Sequence, residues 1–295
     1  MTATLDVDTV LSVRQLSKHY PIVSKGLFRR RVVTVKACDD VSFDVKRGET
    51  LGIVGESGSG KTTLGRAILR ATKPTSGQVL FQSPTRGVVD LAQLPPAELK
   101  PLRTELQMIF QDPFGSLNPR MTVQQIVAEP LVIHRLASGS ELDDRVVAML
   151  KRVGIRPEYR TRYPHAFSGG QRQRIGIARA LVMKPTLIVA DEAVSALDVS
   201  VQAQVINLLA ELQEEFGLTY LFVAHGLAVV RHFCNRVAVM SQGRLVELDE
   251  TERLFRDPQH PYTRTLLAAQ PDPDPDKRPD WAALAAASAA ESSSP

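Results

Sequence analysis

The sequence predicts an α/β fold: a parallel-sheet core for a phosphorylated ligand, an antiparallel β subdomain beside it, a helical insertion and a C-terminal extension. Three observations predict it. The apolar run at residues 51–54 leads straight into Gly55-Glu56-Ser57-Gly58-Ser59-Gly60-Lys61-Thr62, and residues 64–69 continue as a helix-compatible stretch. That order of strand, glycine-rich turn and helix is what the G-x-x-x-x-G-K-[ST] phosphate loop requires. Two further apolar runs, 187–190 and 221–224, stand between helical patterns. Continuous apolar runs alternating with helices mark strands buried on both faces of a parallel sheet. The stretch from about 112 to 183 reads as helical and interrupts this alternation.

Taken in order, residues 10–45 hold short β-rich runs (32–37 and 41–45) divided by polar breaks, and Lys46-Arg47-Gly48-Glu49 forms a turn before the phosphate-loop strand. Residues 123–131 and 141–153 carry apolar side chains at three-to-four spacing, separated by Gly139 and followed by Gly154 and Pro157. A helix over 172–183 is stopped by Pro185. Residues 201–216 place Val205, Leu208, Leu209, Leu212 and Phe216 on one helical face, which Gly217 ends. Runs at 237–240 and 244–247 form a hairpin around Gln242-Gly243. Residues 1–255 are therefore expected to form the catalytic unit and 256–295 the extension. Its Pro271-Asp272-Pro273-Asp274-Pro275-Asp276 run and its Ala/Ser tail from Ala282 suit neither helix nor sheet and are expected to be disordered.

Composition narrows the classes. A chain of 295 residues, 43% hydrophobic, with mean hydropathy −0.08, can bury a full core. No stretch approaches the ~18 consecutive apolar residues of a membrane span, and Met1 to Asp6 lack the basic and apolar regions of a secretory signal, so a cytosolic location is expected. A net charge of +4 with only 5% aromatic residues gives little to stack bases on, so no nucleic-acid partner is expected, and Arg29-Arg30-Arg31 reads as a solvated basic loop. Cys38 and Cys234 share no metal-ligand or redox spacing.

The chemistry rests on three motifs. Lys61 is expected to reach the β- and γ-phosphates, and the Thr62 hydroxyl to ligate Mg²⁺. Asp191 ends a buried strand, where α/β folds bind ligands, and its carboxylate suits a Mg²⁺ shell. Glu192, the next residue, is placed to orient or polarise an attacking water. Ser168-Gly169-Gly170-Gln171 opens a helix with free N–H groups and a hydroxyl that can receive a γ-phosphate; taken singly it is equally well an N-cap. One compact domain does not bring two phosphate-binding helix starts to one triphosphate, so two copies are expected to face each other.

These motifs, in this order and over nearly the whole chain, resemble the ATPase subunit of ABC transporters. The resemblance implies a P-loop fold with ATP and Mg²⁺ as ligands, and head-to-tail dimers in which each ATP lies between one phosphate loop, with the adjoining Thr63, and the partner's Ser-Gly-Gly-Gln signature. It also implies roles for single residues. Tyr20 resembles the aromatic that stacks on adenine, against the alternative of an edge-strand core tyrosine. Gln111 resembles the glutamine that senses Mg²⁺ and hinges the helical subdomain. Ser195-Ala196-Leu197-Asp198 resembles the loop crossing the dimer interface, and His225 the switch histidine at the γ-phosphate. Three departures stand out: Ala193 replaces the usual proline, Gly226 the usual aspartate, and Phe167 the commoner leucine. None removes a phosphate-contacting group.

Thr34-Val35-Lys36-Ala37, the segment Gln111-Asp112-Pro113-Phe114-Gly115-Ser116-Leu117-Asn118-Pro119-Arg120-Met121, the run 199–205 and His260-Pro261-Tyr262-Thr263 are similar to the second ATPase of oligopeptide/dipeptide importers. That implies a heterodimer with a distinct second ATPase, two transmembrane permease subunits, an extracytoplasmic binding protein and a place on the cytoplasmic face of the membrane. Some such partners carry an iron–sulfur cluster near the C-terminus; with no cysteine after Cys234, this chain builds none there by itself. The alternative is a soluble ABC-type ATPase acting on ribosomes or DNA. Against it, this chain has neither tandem ATPase domains nor a long coiled-coil insertion.

Overall fold

The computed structural model describes residues 5–25, 30–112 and 114–269, with backbone alone for 22–25 and 30–32. The proline-rich run and the Ala/Ser tail lie outside the described residues.

The chain opens with two long strands, β1 (Thr9–Lys25) and β2 (Arg30–Lys46), paired antiparallel. The polar break expected between two short strands is absorbed within one bulged ladder. Gln15 and Asp40 take positive φ (49° and 58°), and their amides are met by the hydroxyls of Ser42 and Ser17. Side-chain oxygens thus replace ladder partners where the register shifts, so the strand continues. After β3 (Thr50–Val54) and α1 (Lys61–Ile68), the chain returns through β4 (Ser76–Ser83) and β5 (Gly87–Asp90) to complete a four-stranded sheet of order β2-β1-β4-β5.

Helix α2 (Pro96–Leu102) then leads to β6 (Leu106–Ile109). The helical insertion follows as α3 (Val123–Ile133), α4 (Gly139–Arg152), two short 3₁₀ turns and α5 (Gly169–Leu181). Thr122 caps α3 with a capping box that Gln125 completes. β7 (Leu187–Asp191), α6 (Val199–Phe216), β8 (Thr219–Val223), α7 (Leu227–Phe233), β9 (Arg236–Ser241) and β10 (Arg244–Glu250) finish the core. Gly217 closes α6 in the left-handed conformation, φ 63°. Helices α8 (Thr251–Arg256) and α9 (Pro261–Ala268) pack against it.

The second sheet has order β10-β9-β3-β8-β7-β6, parallel throughout except for the edge strand β10. Its strands separate two cores. Leu187 and Val189 of β7, with Leu221 and Val223 of β8, join α1 and the antiparallel sheet. Ile188 and Ala190, with Tyr220 and Phe222, face the helical insertion. Period-2 alternation into apolar surroundings on both sides is why residues 187–190 and 221–224 are apolar throughout. Each such side chain contributes roughly 1.5–3 kcal/mol by leaving water. No helix among the described residues is long and apolar enough to cross a membrane.

Candidate functional site

The functional cleft opens at the carboxyl ends of β3 and β7, where an open α/β sheet binds ligands. It has a volume of about 380 Å³ and is lined by Val35, Lys36 and Ala37 of β2, by Ser57, Gly58 and Gly60 to Thr63, and by Glu192, His225 and Gln242.

The phosphate loop is shaped by close approaches that exclude side chains. At Gly55 (φ 147°) a Cβ would stand 2.1 Å from the Met240 carbonyl oxygen, and at Gly60 (φ 103°) 2.0 Å from that of Ala37. Only glycine meets both the conformation and the space. The loop ends as α1 begins, with Gly60 at the N-cap, no side-chain cap and no acidic residue in the first turn. An uncapped, positive helix start is an anion site. The turn after β9 braces the loop: the Gly243 amide donates to the Ser59 carbonyl at 3.0 Å, and the Gly243 carbonyl accepts from the Asp39 amide at 2.8 Å.

Lys61 is 4% exposed, and its Nζ donates to the carbonyls of Gly55 and Glu56, both at 2.7 Å. Burial pushes its pKa down, against the attraction of Glu192, Asp191 and Glu56. The Thr62 hydroxyl donates to Asp191 Oδ1. Burial raises the Asp191 carboxyl above its ordinary range, offset in part by that hydrogen bond and by Arg66. Glu192 is buried and holds φ 50°, a left-handed conformation that a proline at 193 would disfavour; its amide donates to the Val223 carbonyl. Its carboxylate pairs with Nε2 of His225, whose side chain is 41% exposed. Gly226 is the N-cap of α7.

The signature occupies a different face. Ser168 caps α5: its hydroxyl accepts from the Gln171 amide, and the Gln171 side chain accepts from the Ser168 amide. Gly169 and Gly170 lie against the segment after β7, where added Cβ atoms would meet Leu197 at 3.6 Å and Val201 at 2.4 Å. None of Ser168 to Gln171 lines the phosphate cleft of their own chain. Asp198 is exposed at the N-cap of α6, next to Val199, which is 82% exposed. Phe167 is buried edge-on to Tyr159.

Tyr20 is 38% exposed, with Lys18 Nζ 4.7 Å from its ring centroid, so it is not a core tyrosine. It pairs across the ladder with Val35, which does line the cleft. Gln111 is exposed just beyond β6 and does not line the cleft. Its neighbourhood is pinned to α5, where Arg179 donates to the Ser116 carbonyl and Gln173 to that of Phe110.

Val35, Lys36 and Ala37 line the cleft although the sequence reading named them only for their likeness to importer ATPases, and Gln242 and Tyr262 escaped it as site residues too. Gln242 lines the cleft from what read only as a hairpin turn. Tyr262 of α9 accepts, at its hydroxyl, a hydrogen bond of 3.1 Å from the Glu56 amide in the phosphate loop. Its motif was legible, but the contact was not.

A family described as "ABC transporter" matches residues 38–195, and one described as "Oligopeptide/dipeptide transporter, C-terminal region" matches residues 246–294. The chain is 54% identical to the oligopeptide transport ATP-binding protein AppF of Bacillus subtilis, over 92% of this chain and 80% of that protein. It is 51% identical to the glutathione import ATP-binding protein GsiA of Salmonella paratyphi A, over 92% of this chain and 42% of that one. Among solved structures it resembles a dimeric post-hydrolysis state of the ATP-binding cassette MJ0796 bound to ADP and phosphate. That match has 30% identity and TM-score 0.70, covering 82% of this chain and 98% of the other. The fold, the phosphate-loop cleft and these matches together place the chain in the ABC transporter family, as an ATP-hydrolysing ATP-binding subunit.

Proposed function

We propose that this chain powers import of oligopeptides, dipeptides or related solutes, working from the cytoplasmic face of the membrane with a second ATPase and two permease subunits. An extracytoplasmic binding protein would deliver the solute. The observation that carries the reading is the union in one chain of the phosphate-loop cleft with the C-terminal region matched to oligopeptide/dipeptide transporters. The curated relatives' names are of transport and import proteins, which leaves the ribosome- or DNA-acting alternative without support.

Within the site, Lys61 and the amides from Ser57 to Thr63 hold the β- and γ-phosphates, and Tyr20, exposed beside Val35, stacks on adenine. The hydroxyl of Thr62 and the carboxylate of Asp191, already in contact, are oxygen donors that fit Mg²⁺ and would hold it, and Gln111, outside the cleft in this structure, would add its amide oxygen on moving in. A Mg²⁺ ion held there would supply positive charge against the triphosphate. Glu192 orients the attacking water and accepts its proton, while His225, paired to it, faces the γ-phosphate. Because Ser168 to Gln171 and Asp198 lie away from the chain's own cleft, they serve the partner's ATP across a dimer interface. Residues 1–255 form this catalytic unit and 256–295 the extension. The exposed apolar side chains Phe110 and Phe114, close to Gln111 in sequence, and Val132 and Ile133 of α3 suit contact with permease subunits.

The test is co-purification of tagged Glu192→Gln chain from solubilised native membranes with ATP and Mg²⁺, then hydrolysis by the recovered assembly. Two polytopic proteins and a second ATPase are expected, with hydrolysis about 100-fold or more below the parent complex. Recovery of ribosomal or DNA-associated chains alone would overturn the transport reading, and parental hydrolysis the assignment of Glu192.

A further inference from the structure

The peptide unit joining Gly55 to Glu56, at the entry to the phosphate loop, is held at both ends. Its carbonyl accepts from Lys61 Nζ at 2.7 Å, and its N–H donates to the Tyr262 hydroxyl at 3.1 Å. Neither Gly55 nor Glu56 lines the cleft, so this unit is the footing of the anion cradle and not part of its surface.

Tyr262 is well placed to act on that unit. It is 8% exposed and packs in the core beneath the helical insertion. Its backbone amide donates to Nδ1 of His260, the N-cap of α9, at 3.2 Å. The approach to α9 is fixed in turn by Glu247 of β10, whose carboxylate accepts from the amides of Gln259 at 2.7 Å and His260 at 3.0 Å. A continuous chain of contacts therefore runs from the parallel-sheet edge, through the first helix of the extension, to the phosphate loop.

We infer that Tyr262 is a positioning residue for nucleotide binding: its hydroxyl keeps the Gly55–Glu56 peptide in place when Lys61 turns N–H donors from the loop carbonyls to the phosphates. In the unliganded chain Lys61 and Tyr262 share this task. An ammonium has three N–H donors, so one that bridges two phosphates keeps at most one of the two carbonyl bonds seen here, and the Tyr262 bond then carries more of the restraint that stops the unit from rotating and misaligning the amides that follow. The contribution of Tyr262 is therefore larger with nucleotide bound than without it. This inference rests on the phosphate-loop reading proposed above.

The experiment titrates the full chain with ADP and Mg²⁺ by calorimetry, in the parent, Tyr262→Phe and Lys61→Ala, and records each melting temperature without nucleotide. Tyr262→Phe keeps the packed ring and removes the hydroxyl. It is expected to raise Kd for ADP about fivefold, the usual net worth of one neutral hydrogen bond, with the nucleotide-free melting temperature lowered by no more than about 2 °C. An unchanged Kd in Tyr262→Phe, with Lys61→Ala losing binding, overturns the inference and leaves the phosphate loop intact. A raised Kd accompanied by a fall of several degrees in melting temperature overturns it too, since the bond would then merely support the fold. Parental affinity in Lys61→Ala would sink the underlying phosphate-loop reading and the inference with it.

Discussion

The hydroxyl of Thr62 donates to Asp191 Oδ1 across 2.8 Å, tying the first turn of α1 to the end of β7 before any ligand arrives. The carboxylate so held is 3% exposed, and burial raises its pKa despite the bond. A carboxyl with a raised native pKa stays protonated in the native state where the unfolded chain has already ionised. Stability then falls as pH rises from the unfolded value of ~3.9 through the native one.

Asp191→Asn removes the charge and keeps an acceptor for Thr62. The nucleotide-free variant is expected to melt at or above the parent at pH 7, while hydrolysis with Mg²⁺ falls about 100-fold or more. Calorimetry from pH 5 to 8, with phosphate-release assays, checks both. A lower melting point at pH 7 would show that the charge stabilises the fold.

Two glycines of the phosphate loop separate backbone strain from collision. At Gly58 (φ 83°) a Cβ meets nothing within 4 Å, so Gly58→Ala is expected to cost about 1 kcal/mol, the left-handed penalty alone. At Gly60 the Cβ would strike the Ala37 carbonyl, and Gly60→Ala is expected to cost roughly 3 kcal/mol or more. Equal losses on denaturant unfolding of the two variants would contradict the geometry.

Asp39 accepts from Arg244 Nη2 at 2.8 Å, and that guanidinium, with Lys36 and His19, draws its pKa to about 2 against its partial burial. A depressed carboxyl stabilises above its unfolded pKa, and this is lost as pH falls through the native one. Arg244→Gln is therefore expected to flatten the acid limb of stability between ~4 and about 2, with little change in its slope at neutral pH. An identical acid limb in variant and parent would dismiss the pair.

Both cysteines are buried, and burial alone pushes Cys38 up to about 12 and raises Cys234 as well. At pH 8 the native chain is expected to resist a colorimetric thiol reagent and to release two equivalents only in guanidinium, matching its two cysteines. Fast native labelling would place one of them at the surface.

Much of this was legible because the chemistry is local. The phosphate loop, Asp191-Glu192 and Ser168 to Gln171 are contiguous motifs, and β7 and β8 stand out because both faces are buried. β4 and β5 did not, since their exposed positions break the apolar pattern, and Pro101 inside α2 masks that helix. Helix α5 begins at Gly169, three residues before the expected start, because the capping box of Ser168 and Gln171 overrides poor glycine propensity. The role of His225 at the γ-phosphate came from resemblance, not from spacing, and its pairing with Glu192 was not read from the sequence. The contact of Tyr262 with Glu56 joins residues 206 apart in sequence, and no local pattern encodes it.

Gly243 acts as a rivet between the two sheets. Its one residue bonds β2 through Asp39 and the phosphate loop through Ser59, and at φ 82° with the Lys36 carbonyl oxygen 2.6 Å from where a Cβ would stand, no bulkier residue fits. The antiparallel sheet bearing Tyr20 and the cradle bearing Lys61 consequently travel as a single frame. Adjustment between the two ends of a nucleotide is thereby denied to this half of the molecule. The helices, joined to that frame from outside it, meet a nucleotide-binding surface that is already set at both ends.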